Sequence, residues 1–203
     1  MIKIIKDNNL INTKNGLIQK PVVINVRNFE ESTVQIFQNK INIGKNTGQK
    51  IIPIIVNTYG GDVDNLIEMI SIIENAQADG LIVATINRSV AFSAGAILVG
   101  FGTQKYRYAD PASSFMMHEI SSLTEGKVSD INNEAHFLRL FNDSIYKKLA
   151  KYCWHEDENY FLKLMKDKDI YLNPIEALSH RLIDYIGNPR MEVEIKVEYK
   201  WKV

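Results

Sequence analysis

Residues 51–61 read Ile-Ile-Pro-Ile-Ile-Val-Asn-Thr-Tyr-Gly-Gly. The run from Ile51 to Val56 is almost unbroken in β-branched side chains, the pattern of a strand buried on both faces and hence of a parallel sheet. Thr58-Tyr59-Gly60-Gly61 ends the run, and the helical spacing of Leu66, Ile67, Ile70 and Ile73 predicts a helix over 63–75 directly after it. The same alternation continues on both sides. Before it, Val22 to Val26 reads as a short buried strand, and Val34, Phe37 and Ile41 predict a helix over 30–43 that stops at Gly44. After it come a strand at 81–86, a helix at 93–99 closed by Gly100 and Gly102, and short strands at 104–108 and 115–117 around an Asp110-Pro111 turn. Helices follow at 130–152, 157–165 and 174–178, with a last strand at 182–186. Strands alternating with helices make the fold class α/β, built from stacked β-α-β units.

The whole chain has 203 residues, enough to bury roughly 70% of the surface an unfolded chain of that size exposes. Neither a linker nor a repeat divides it, so a single domain over 1–203 is expected, with its core at about 20–187. Hydrophobic residues make up 45% and charged residues 24%, which excludes a wholly disordered chain. Lys plus Arg equals Asp plus Glu at 24 each, without the basic excess of a nucleic-acid or membrane-surface binder. Cys153 is the only cysteine, so no intrachain disulfide can form and a reducing, cytoplasmic location is expected. The opening residues MIKIIKDNNL do not read as a signal peptide. The longest apolar candidate, Val90 to Gly102, is too short to span a membrane. From Glu192 onward polar and apolar residues alternate, with Val193, Ile195, Val197, Tyr199, Trp201 and Val203 on one face. That period predicts a C-terminal strand within an extension at about 188–203, either at the edge of the sheet or paired with another subunit.

Three places could carry chemistry. Paired glycines at 60 and 61, between a buried strand and a helix, permit positive φ and leave backbone N–H groups open to an anion; they also simply make turns. Ser93, flanked by Ala91-Phe92 and Ala94-Gly95-Ala96, stands where a strand gives way to a helix. Serine there is an ordinary N-cap, but small neighbours also give a nucleophile an exposed Oγ, the logic of a nucleophile elbow without its G-x-S-x-G sequence. His118 ends the short apolar strand Phe115-Met116-Met117. No metal or other cofactor is expected: His136, His155 and His180 fall on separate helical stretches without ligand spacing and read as solvated.

The order of these pieces resembles the ClpP family, the proteolytic subunit of Clp proteases. The resemblance runs over about 20–187 and rests on Asn57-Thr58-Tyr59-Gly60-Gly61, Ser93-Ala94-Gly95-Ala96, Met116-Met117-His118, Asp167-Lys168-Asp169, Glu176-Ala177 and Arg181-Leu182-Ile183-Asp184. It implies a ClpP/crotonase-like fold with a protruding strand-and-helix handle from Glu119 onward. It also implies Ser93 as nucleophile, His118 as general base, Asp169 as the residue that orients the imidazole, and the N–H groups of Gly61 and Ala94 as the oxyanion hole. Asp167 lies two residues from Asp169 and reads equally as part of a helix-to-loop break. The sequence departs from the family at Tyr59, where Pro is usual, at Ser89 and Arg181, where Gly is usual, and at Phe92, where a small residue is usual.

The partners implied are further copies of the chain in a heptameric ring or double ring, an AAA+ unfoldase, and unfolded polypeptide substrates; neither nucleic acid nor membrane is implied. The activity implied is serine endopeptidase cleavage inside the oligomeric chamber. Alternatives are a phage head-maturation protease, a signal-peptide peptidase without its anchor, a crotonase-type acyl-CoA enzyme, and a non-catalytic structural subunit of the same fold.

Overall fold

The computed structural model describes residues 10–13, 16–121 and 125–191. Strands β1 (Leu10–Thr13) and β2 (Gly16–Gln19) pair antiparallel as a separate hairpin. Then follow β3 (Ile24–Val26), α1 (Glu31–Asn46), β4 (Ile51–Thr58), α2 (Val63–Ala78), β5 (Ile82–Phe92) and α3 (Ala94–Gly100). The remainder is β6 (Arg107–Ala109), β7 (Ser114–Met117), α4 (Val128–Tyr152), α5 (Tyr160–Leu164), β8 (Ile170–Leu172), α6 (Pro174–Ser179) and β9 (Tyr185–Ile186). Strands β3, β4, β5, β6 and β9 lie side by side in that order and all run parallel. The expected α/β class and the stacked β-α-β units are both present.

β5 is longer than the 81–86 expected, and its extra length builds the site. Its first half pairs with β6 through Thr85–Asn87, and its last three residues pair with β7 through Val90–Phe92. Asn87 manages the change of partner. It is buried, its amide donates to the Ser114 carbonyl at 2.9 Å, and its side-chain oxygen accepts from the Ser89 N–H at 3.2 Å. Asn87-Arg88-Ser89 breaks the apolar period that marks a buried strand, which is why the sequence reading stops short there.

The core lies between the sheet and its helices. Val34, Phe37 and Ile41 of α1 and Leu66, Met69, Ile70 and Ile73 of α2 are all buried. α3 is buried along its whole length, and its small residues let it sit against the sheet. A Cβ at Gly95 would lie 2.6 Å from the Thr58 methyl, so only glycine permits that approach. At the start of β6, Arg107 is 2% exposed and held by Asp184: Nε donates to one carboxylate oxygen at 2.9 Å and Nη2 to the other at 2.6 Å. Asp184, the final residue of the Leu-Ile-Asp motif, thus has a buried charge to neutralise.

Several boundaries differ from expectation. The strand expected at 104–108 is shortened and shifted to Arg107–Ala109, and the helix expected at 157–165 reduces to Tyr160–Leu164. The strand expected at 182–186 is confined to Tyr185–Ile186, because Leu182 and Ile183 turn into the core as irregular chain. Of the stretch 119–130 expected as a strand-and-turn handle, the described residues form no strand, and its last three residues already belong to α4. Its helical part is present as α4. The predicted C-terminal strand over 192–203 lies outside the described residues.

Candidate active site

Ser93 is the single residue between β5 and α3, and its backbone is held in an unusual shape. Its N–H donates to the Met116 carbonyl at 2.7 Å, which prolongs the β5–β7 pairing by one bond. At the same residue φ is +53° and ψ is −120°, a conformation that costs a side-chain-bearing residue about 1–3 kcal/mol and that clusters at functional sites. The sharp strand-to-helix turn lifts Oγ off the backbone, as in a nucleophile elbow. The hydroxyl does not cap α3. Instead Oγ lies 2.7 Å from His118 Nε2, a distance at which a neutral imidazole accepts the hydroxyl proton.

His118 comes just after β7, and α4 fixes the backbone there. Tyr146 is buried and its hydroxyl donates to the His118 carbonyl at 2.7 Å. One turn earlier on α4, Asn142 Oδ1 accepts from the Ile120 N–H at 3.1 Å. Burial, reinforced by the nearby Glu119 carboxylate, pushes the Tyr146 hydroxyl up from its ordinary pKa, so it stays a donor at any physiological pH.

The glycine pair sits directly behind the serine. Gly60 has φ +113° and Gly61 φ +153°. A Cβ on Gly60 would lie 2.9 Å from Ser93 Cβ and 3.2 Å from the Phe92 carbonyl oxygen, so the strand end can approach the serine only without one. Thr58 Oγ1 accepts from the Gly60 N–H at 3.1 Å, which fixes the turn. Among the described residues, neither the Gly61 N–H nor the Ala94 N–H donates to a protein acceptor. Both residues line a cleft of about 360 Å³ together with Ser93 and His118, and Ile97, Ile120 and Phe141 give it apolar walls.

Asp169 is placed by register. The antiparallel β7–β8 ladder ends on the pair Met117–Ile170, and His118 and Asp169 are the residues next to that pair in the chain. Among the described residues the imidazole is hydrogen-bonded to Ser93 alone, and Asp169 is exposed. Asp167 occupies a turn with φ +58°, two residues further from the ladder.

Sequence reading alone missed the supports of this constellation: Thr58, Asn142 and Tyr146. Tyr146 reads as one more apolar position of a long helix, and the acceptor of its hydroxyl is 28 residues away. Of the other histidines, His136 is exposed, whereas His155 and His180 are engaged by neighbours. His155 Nε2 lies 2.9 Å from the His180 carbonyl oxygen, and the Tyr160 hydroxyl lies 2.6 Å from His180 Nδ1. Among the described residues no group of three or more His, Cys, Asp or Glu could hold a metal ion. No helix among them is long and apolar enough to cross a membrane.

The chain is 28% identical over 136 residues to the ATP-dependent Clp protease proteolytic subunit 4, chloroplastic, of Arabidopsis thaliana. The matched part covers 67% of this chain and 45% of that relative, so the likeness spans less than half of the relative's length. A family-level match is far more extensive, running over residues 6–190 and taking in every element from β1 to β9. With that match, the parallel sheet and the β-α-β order, the chain belongs to the Clp protease family.

Proposed function

We propose that the chain is a serine endopeptidase of ClpP type whose triad is Ser93, His118 and Asp169. The observation that carries this reading is the 2.7 Å contact between Ser93 Oγ and His118 Nε2, made by a serine held at positive φ in a strand-to-helix turn. Ser93 Oγ attacks the scissile carbonyl carbon while its proton passes to His118 Nε2. The carbonyl oxygen becomes an oxyanion and receives hydrogen bonds from the Gly61 and Ala94 N–H groups. One such donor is worth about 3–4 kcal/mol of barrier. Collapse of the intermediate breaks the C–N bond, and His118 gives its proton to the departing amine. Water, activated by the same imidazole, then releases the acyl group from Ser93. Asp169 orients the imidazole and stabilises its charged form.

The wider setting belongs to the same proposal. The chain acts as one catalytic domain in a homo-oligomer, a heptameric ring or double ring, that encloses the sites and takes unfolded polypeptide from an AAA+ unfoldase. Support for assembly comes from α4, which leaves Val128, Ile131, Phe137 and Leu140 exposed. A cytoplasmic location is supported by Cys153, a buried thiol with no disulfide.

A fluorophosphonate probe tests the reading, because a serine reacts with it only when a base and an oxyanion hole activate it. Intact mass should rise by one adduct, mapped to Ser93 and lost in His118→Ala. A folded, assembled sample that takes no adduct would instead indicate a non-catalytic subunit.

A further inference from the structure

Outside the lining of the cleft, three aromatic rings next to Ser93 touch in a row across the sheet. The parallel β5–β7 register pairs Phe92 with Met116, and the antiparallel β7–β8 register pairs Met116 with Tyr171. Although β7 runs between them, the Phe92 and Tyr171 rings meet, with centroids 6.0 Å apart and planes at 86°. Tyr59, immediately before the glycine pair, adds its ring to Phe92 at 5.5 Å and 83°. Edge-to-face contacts hold rings in place while leaving faces open. Tyr59 is 78% exposed and Tyr171 65% exposed. Core packing does not account for them, because the alternate residues Ala91, Phe115, Ile170 and Leu172 are the ones buried beneath the sheet.

We infer that Tyr59, Phe92 and Tyr171 form the subsite for the first residue on the amine side of the scissile bond and select a large apolar or aromatic side chain there. The inference rests on the peptidase reading above. A bound polypeptide leaves Ser93 in two directions. The acyl side belongs to the cleft that contains the Gly61 and Ala94 N–H groups, since the oxyanion comes from the acyl residue's own carbonyl; none of the three rings lines that cleft. The departing amine must lie within reach of His118 Nε2, which returns its proton. His118 follows Met116 by two residues, on the same side of the chain. The amine-side residue therefore passes over Met116 and lies against the outer faces of the touching Phe92 and Tyr171 rings. An apolar pocket of this kind discriminates by about 10- to 200-fold.

The test uses the assembled full chain and peptides with a constant acyl half and Phe, Leu, Ala or Asp at the first amine-side position. Phe and Leu should exceed Ala by about tenfold or more in kcat/KM. In Phe92→Ala/Tyr171→Ala that ratio should fall close to one, through KM rather than kcat. Tyr171→Ser, at an exposed position, gives a second variant that keeps the core intact, and its ratio should fall in the same direction. Fluorophosphonate labelling of Ser93 on the same samples separates the two readings. A labelled wild type without the preference, or variants that retain it, overturns the subsite while leaving the peptidase standing. Variants that lose assembly but retain the preference assign the rings to a subunit contact and also overturn it. An unlabelled wild type overturns both.

Discussion

Met117 and Ile170 are the last facing pair of the antiparallel β7–β8 ladder, and His118 and Asp169 are the residues next to them in the chain at that end. Facing residues in such a ladder lie about 4.5–5.5 Å apart at Cα, so the proposed orienting role of Asp169 starts from a position adjacent to a close pair. Asp167, in a left-handed turn, does not continue the ladder.

Asp169→Asn should therefore lower kcat about 10⁴-fold on a peptide substrate by leaving the imidazole in the wrong tautomer, whereas Asp167→Asn should change it little. Steady-state cleavage at saturating peptide distinguishes them. The opposite pattern would transfer the orienting role to Asp167.

Gly60 and Gly80 make a matched pair. Both have positive φ, +113° and +82°, but a Cβ on Gly60 meets Ser93 and one on Gly80 meets nothing within 4 Å. Alanine at either position should cost about 1–3 kcal/mol in urea unfolding through the backbone alone. Only Gly60→Ala should also slow fluorophosphonate labelling of Ser93, by at least about tenfold. Equal labelling rates would show that the serine tolerates displacement.

The Arg107–Asp184 pair should behave as a unit. Asp184→Leu leaves a buried guanidinium without its carboxylate and should cost about 3–5 kcal/mol. Arg107→Met/Asp184→Leu should recover much of that loss, as read by denaturant titration. Cys153, whose Sγ lies 3.4 Å from Arg107 Nη1, is pushed up to about 12 by burial, so the native thiol should resist alkylation until the chain unfolds.

His155 and His180 both have their pKa lowered, chiefly by burial, from the usual value near 6.5. For His155, Arg181 and His180 lower it further, against a hydrogen bond to the His180 carbonyl that raises it; for His180, Glu176 opposes the shift. Groups held neutral in the fold bind fewer protons than they do unfolded. Their stabilising effect is complete above about pH 6.5 and is lost as pH falls below it. Melting temperature should drop between pH 7.5 and 5.5, and His180→Gln should flatten that dependence. An unchanged slope in the variant would place the acid sensitivity elsewhere.

Local signals revealed some of this molecule and long-range ones hid the rest. Ile51–Val56 announces a parallel strand because burial on both faces leaves no polar alternation to confuse it. Gly60-Gly61 and Ser93 are visible as punctuation between elements, where backbone freedom and small side chains leave a mark. β5 beyond Ile86 was not visible, since the polar run Asn87-Arg88-Ser89 makes sense only once the Ser114 carbonyl is known to lie beside it. The same holds for Tyr146 and Arg107, whose partners are 28 and 77 residues distant. Choosing between Asp167 and Asp169 needs a strand register, which no spacing along one segment can supply.

The positive-φ conformation of Ser93 is maintained only by what surrounds it: the bond to Met116, the unoccupied space at Gly60 and the buried packing of α3. Loosening any of these lets the residue relax toward ordinary backbone angles long before the sheet gives way. On heating, the protein should become inert while still folded, with inactivation running ahead of the calorimetric transition. The fragile part of this molecule is then a single peptide turn, and its working temperature is set there rather than by the core.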